Sequence, residues 1–140
     1  MRLTDLADVV NALRAGLAAK PQVALALLFG SVARGTERED SDVDLAVATE
    51  GEFDLLDVAR ELGARVGREV HVVQLRDATI PLLDEIVRDG VLVYEGRPNA
   101  AAQWRTRALC SLEIDRPWYA RMRDAWLKQV EKHGLSDGQS

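Results

Sequence analysis

The chain is short of everything that would tie it to a disulfide, zinc or membrane class. It has one cysteine, Cys110, in 140 residues, which rules out a disulfide framework and a thiolate metal cluster. Its two histidines, His71 and His133, cannot build a zinc site by themselves. Phe, Trp and Tyr make up only 5% of the sequence, and no apolar run approaches the roughly 20 residues of a membrane span. The first residues are amphipathic and carry Asp5 and Asp8, without the continuous apolar core of a secretory signal, so the cytoplasm is the expected compartment. There is no excess of positive charge. Eighteen Lys and Arg against 23 Asp and Glu leave a net charge of −5, so nothing attracts long nucleic acid by charge alone. A hydrophobic share of 47% excludes disorder, and the length suits one compact domain with a short appendage.

The local patterns predict an α/β protein, with a small mixed sheet covered by helices. Leu3, Leu6, Val10, Leu13 and Leu17 recur at helical spacing, with Thr4 as a possible N-cap, and Pro21 ends that element. Val23 to Phe29 is a continuous apolar run suited to a buried strand, and a short helix, Ser31 to Gly35, follows a turn. Thr36 to Ser41 reads as a charged loop and Val43 to Ala48 as a second buried strand. Leu55, Ala59, Leu62 and Val66 mark a helix closed by Gly67. Glu69 to Leu75 is a third strand. A helix with Pro81 in its first turn follows, facing the core with Leu82 or Leu83, Ile86 and Val87. Val91 to Tyr94 is a fourth strand.

Gly96 and Pro98 punctuate a boundary, so residues 1–96 are expected to form the core domain and 97–133 a C-terminal helical extension. All three tryptophans lie in that extension. One helix carries Trp104 and Ala108. A second, interrupted at its start by Pro117, carries Trp118, Met122, Trp126 and Val130 on one face. The tryptophans either dock the tail on the sheet or, with Arg105, Arg107, Arg116, Arg121 and Arg123, form a partner-docking or self-association surface. The residues from Gly134 are expected to fray.

The chemistry concentrates in Leu28 to Val47, LFGSVARGTEREDSDVDLAV. Gly30 permits close approach of backbone to a ligand. Ser31 offers an N–H and a hydroxyl where phosphate is favoured. Ten residues separate Ser31 from Asp42, and Asp42 and Asp44 share one side of a strand because side chains alternate. Two carboxylates beside a phosphate-binding turn make a divalent-metal site for nucleotide chemistry. Arg34 is either a further phosphate contact or a solvated helix residue.

Gly-Ser, ten residues, then Asp-x-Asp, between two apolar strands, resembles the minimal nucleotidyltransferases of the polymerase-beta-like superfamily. The core from Leu3 to Tyr94 resembles the antitoxin of two-gene HEPN–MNT toxin–antitoxin systems. That resemblance implies transfer of AMP from ATP to a tyrosine hydroxyl of a HEPN ribonuclease toxin, which is silenced. It implies Gly30 and Ser31 on the triphosphate and Asp42 and Asp44 on Mg²⁺. It also implies a third carboxylate on the next strand. At that position stands His71. Three readings follow: Glu69, two residues earlier, supplies the acid; His71 serves as a general base or, with Mn²⁺, as a ligand; or catalysis is impaired and only binding persists. Asp77 lies beyond the strand. Modification of a small molecule or an RNA end is the remaining alternative. The absence of an acceptor domain points instead to a docked macromolecule.

Overall fold

The computed structural model describes residues 3–35 and 41–133. Residues 36–40 of the charged loop expected at Thr36 to Ser41, and the tail from Gly134, lie outside the described residues. A four-stranded sheet in the order β3-β2-β1-β4 forms the centre. Its strands are β1 Val23–Phe29, β2 Val43–Thr49, β3 Val70–Gln74 and β4 Val91–Glu95. β1 runs antiparallel to both β2 and β4, while β2 and β3 are parallel, so the sheet is mixed. The parallel pair requires a crossover, and the helix α3, Leu55–Val66, provides it.

Helices cover both faces. On one, α1 (Leu6–Ala18) and α3 close over the inward residues of β1 and β2, and Leu13, Leu17, Leu28, Leu45 and Leu62 are fully buried there. Burying each such leucine contributes about 2 kcal/mol. On the other, α4 (Ile80–Asp89) and the start of α5 (Ala100–His133) cover Leu25, Leu27 and Ala46. β1 reads as a continuous apolar run, and β2 as one broken only by Asp44 and Thr49, because both of their faces are covered.

Three local features differ from the sequence pattern. The cap of α1 is Asp5 rather than Thr4. Its carboxylate accepts the Ala7 N–H at 3.0 Å, and aspartate caps at least as well as threonine. Glu69 and Leu75 fall outside β3. Glu69 precedes it, and Leu75–Asp77 turn as a single 3₁₀ turn. The C-terminal segment is one 34-residue helix, α5, with Pro117 inside it, not two helices. Proline removes one backbone hydrogen bond but need not end a helix whose neighbours are good helix formers.

The two ends of α5 differ in their surroundings. Trp104 packs against the second core cluster, and Ala108 and Leu112 are buried. Trp118 and Trp126 are 55% and 60% exposed, so these two tryptophans do not dock the tail on the sheet. Among the described residues no helix is long and apolar enough to cross a membrane.

Candidate active site

β1 ends at Phe29, and its partner across the antiparallel pair is Asp44. The chain then enters α2, Gly30–Arg34, through Gly30 at φ +80°, a conformation that L side chains rarely adopt. A Cβ at residue 30 would run into the Asp44 carboxylate. Glycine is therefore required twice, by backbone conformation and by the carboxylate packed on it. Gly35, also left-handed, closes α2 and turns the chain toward β2.

On the other side Asp44 pairs in register with His71 of β3. Because β2 and β3 are parallel and in register, the side chains of Asp44 and His71 share one face, and alternation puts Asp42 there too. His71 Nε2 lies 3.0 Å from Asp42 Oδ2 and 3.7 Å from Glu69 Oε1. One ligand atom from each of Asp42, Glu69 and His71 lies within 4.8 Å of the other two, and all three residues are exposed. Two carboxylates and an imidazole are a donor set suited to a divalent ion, and the nitrogen favours Mn²⁺ more than an all-oxygen set would.

Asp44 sits deeper. Burial raises its carboxyl above the ordinary value. His71 opposes that shift, Asp42 and Glu85 reinforce it, and Arg34 opposes it. A half-buried carboxylate held among other acids is poised to take up a cation.

The expected site residues thus separate into two positions. Gly30, Asp42, Asp44, Glu69 and His71 converge at the end of the sheet where β2 and β3 begin, with Ser31 next to Gly30 in α2. Arg34 is half-exposed and ion-paired with Glu85 of α4 at 3.1 Å. Asp77 lies in the turn beyond the opposite end of β3. Two residues were not foreseen. Glu85 is 51 positions from Arg34, and no local pattern announces the pair. Arg68, only 6% exposed, donates from Nε to the Ser41 carbonyl at 3.1 Å and from Nη1 to the Leu3 carbonyl at 3.2 Å. It fixes the backbone directly before Asp42.

The family model described as polymerase beta, nucleotidyltransferase matches residues 11–99. The chain belongs to this family. It is similar to the protein adenylyltransferase MntA of Shewanella oneidensis, 33% identical over 73 residues that are 50% of this chain and 52% of that protein. The chain spans about half the length of this curated relative in the match. Among solved structures, one of a toxin–antitoxin with AMP-PNP superposes with a TM-score of 0.70 at 23% identity, over 84% of this chain and 98% of the other. A tri-AMPylated HEPN toxin in complex with its MNT antitoxin, from Shewanella oneidensis, matches with a TM-score of 0.67 at 20% identity, over 87% and 99% of the chains. These two structures bear on the fold. For a nucleotidyltransferase of this family, the carboxylate cluster lies where the fold brings a turn and two strand ends together.

Proposed function

We propose that the chain is an antitoxin that transfers AMP from ATP to a tyrosine hydroxyl of a HEPN ribonuclease toxin and thereby silences it in the cytoplasm. The observation that carries the reading is the convergence of Asp42, Glu69 and His71 beside Asp44 and Gly30. The similarity to a protein adenylyltransferase supports the choice of AMP as the transferred group and of protein as the acceptor class.

Gly30 and Ser31 hold the triphosphate at the turn after β1, and Arg34, now paired with Glu85, adds positive charge nearby. Asp42 and Asp44, completed by Glu69 or His71, would hold Mg²⁺ or Mn²⁺, which when bound would supply charge neutralisation for the α-phosphate and the departing pyrophosphate. The tyrosine oxygen forms a bond to the α-phosphorus, and the bond to the β-phosphate oxygen breaks. The phenolic proton passes to Glu69 or His71, at the exposed edge of the cluster. Residues 1–96 act as the catalytic unit. Residues 97–133 present Ile114, Trp118, Met122 and Trp126, all exposed, as the surface for the toxin or for a second copy of the chain.

His71 in place of a third carboxylate favours a second reading, an antitoxin that works by occlusion alone. Co-expression with a HEPN toxin that binds this chain separates the two. Under the first reading, Asp42→Ala with Asp44→Ala loses protection of growth although the complex still forms. Undiminished protection by that double variant supports occlusion and overturns transfer.

A further inference from the structure

The donors gathered at the start of β2 and β3 are not those of an ordinary magnesium site, because one of them is a nitrogen. We propose that Asp42, Glu69 and His71 form a resident site for a divalent transition ion such as Mn²⁺, filled before any nucleotide binds, with His71 Nε2 as a ligand. The inference rests on the reading of this cluster as the metal-binding end of the proposed transferase, and it names the ion and the role of His71.

The spacing fits one shared ion. Bonds of about 2.1 Å that meet at a right angle put two donors about 3 Å apart. His71 Nε2 lies 3.0 Å from Asp42 Oδ2 and 3.7 Å from Glu69 Oε1. The Glu69 side chain is 71% exposed, so a small rotation closes the longer gap. Without an ion, Nε2 and the Asp42 carboxylate share a hydrogen bond, and an ion takes the place of that proton. Two ionised carboxylates and a neutral imidazole balance one divalent ion.

The donors are set in place by backbone rather than by a nucleotide. The Val43 N–H donates to the Glu69 carbonyl at 2.9 Å, which ties the residue after Asp42 to Glu69 itself. Arg68 donates to the carbonyl of Ser41, directly before Asp42. The parallel register of Asp44 with His71 fixes the third donor to the same two strands. Donors held by their own strands need no ligand to assemble them.

The nitrogen selects the ion. Mg²⁺ prefers oxygen donors and gives up water reluctantly, whereas imidazole suits transition ions. Asp44 is not part of the group. It packs half-buried against Gly30 and is left for an ion that arrives with the triphosphate. A ligating Nε2 cannot also accept the phenolic proton. That role passes to Glu69, whose second carboxylate oxygen stays free.

The test titrates the full, untagged chain with Mn²⁺ alone, without ATP or toxin, and reads electron paramagnetic resonance. One bound Mn²⁺ per chain is expected, with a ¹⁴N coupling from a directly bound imidazole. Mg²⁺ should displace it only at about tenfold or greater excess. His71→Ala should remove the coupling and weaken Mn²⁺ binding about tenfold or more. His71→Asp should also remove the coupling, and it should bring the Mg²⁺ and Mn²⁺ affinities closer together. Asp44→Asn, outside the group, should keep the coupling. Bound Mn²⁺ without ¹⁴N coupling would overturn the proposal, and that readout on the parent chain needs no variant to fold. Equal affinity for Mg²⁺ and Mn²⁺, a coupling that survives His71→Ala, or no Mn²⁺ binding until ATP is added would overturn it as well. AMP transfer does not enter the readout, so its failure in a separate assay would strike the function proposed above and leave this site standing.

Discussion

Asp44 carries opposing demands at the scale of the single residue. Its folded carboxyl lies above the usual carboxylate range because burial penalises the charge. An acid whose folded-state pKa exceeds its unfolded value stabilises the fold when protonated. That contribution is lost as pH rises through the folded pKa. At neutral pH the ionised group therefore weakens the native state. Asp44→Asn is expected to raise the melting temperature at pH 7, and its advantage should shrink as the solution is acidified below the ordinary carboxylate range. The same variant should lose AMP transfer by about 100-fold or more, since a neutral amide cannot replace a charged metal ligand. Thermal melts across pH beside a transfer assay check both halves; a variant less stable than the parent at pH 7 contradicts the sign. Gly30→Ala should cost about 1–3 kcal/mol by denaturant titration, because alanine meets both a left-handed backbone and the Asp44 carboxylate. An unchanged midpoint would mean that the turn relaxes without strain.

At the scale of the element, the pieces that hold the site in place are mostly those that the sequence pattern makes visible. β1 is a continuous apolar run and β2 is apolar apart from Asp44 and Thr49, a pattern that arises when both faces of a strand are covered. α3 is legible because Leu55, Ala59, Leu62 and Val66 recur at helical spacing and Gly67 closes the helix in the left-handed conformation, although the buried face also includes Val58. The joints between elements are not legible. Arg68 ties the segment before α1 and the residue before Asp42 to the start of β3, through carbonyls 65 and 27 positions away. Nothing local marks an arginine for burial. Lysine cannot span two carbonyls with a planar fork, so Arg68→Lys should destabilise the fold by about 1–3 kcal/mol and lower transfer by loosening Asp42. Urea unfolding measures the first effect, and a midpoint equal to the parent's would show that the clamp carries no weight. Pro117 reads locally as a break between two helices because proline is a strong stop signal, whereas α5 runs through it with one backbone hydrogen bond fewer.

At the scale of the whole molecule, the sheet order β3-β2-β1-β4 explains why one short motif is so informative. The turn after β1 and the start of β2 are neighbours across an antiparallel pair, and the start of β3 lies alongside in a parallel pair. Residues separated by up to 41 positions, Gly30 to His71, therefore meet at one end of the sheet. The Gly-Ser and Asp-x-Asp spacing is readable from sequence because it lies within one strand–turn–strand unit. The approach of Glu69 and His71 to Asp42 was anticipated only through the family resemblance, and the Arg34–Glu85 pair not at all, since each depends on tertiary packing.

The central claim is that this cluster transfers AMP to protein. Intact mass spectrometry of a HEPN toxin that binds this chain, after incubation with ATP and either Mg²⁺ or Mn²⁺, tests it most directly. The account predicts a mass increase by whole AMP units that disappears when Asp42 and Asp44 are both replaced by alanine. An unmodified HEPN protein in a stable complex with the parent chain, under both metals, would contradict it.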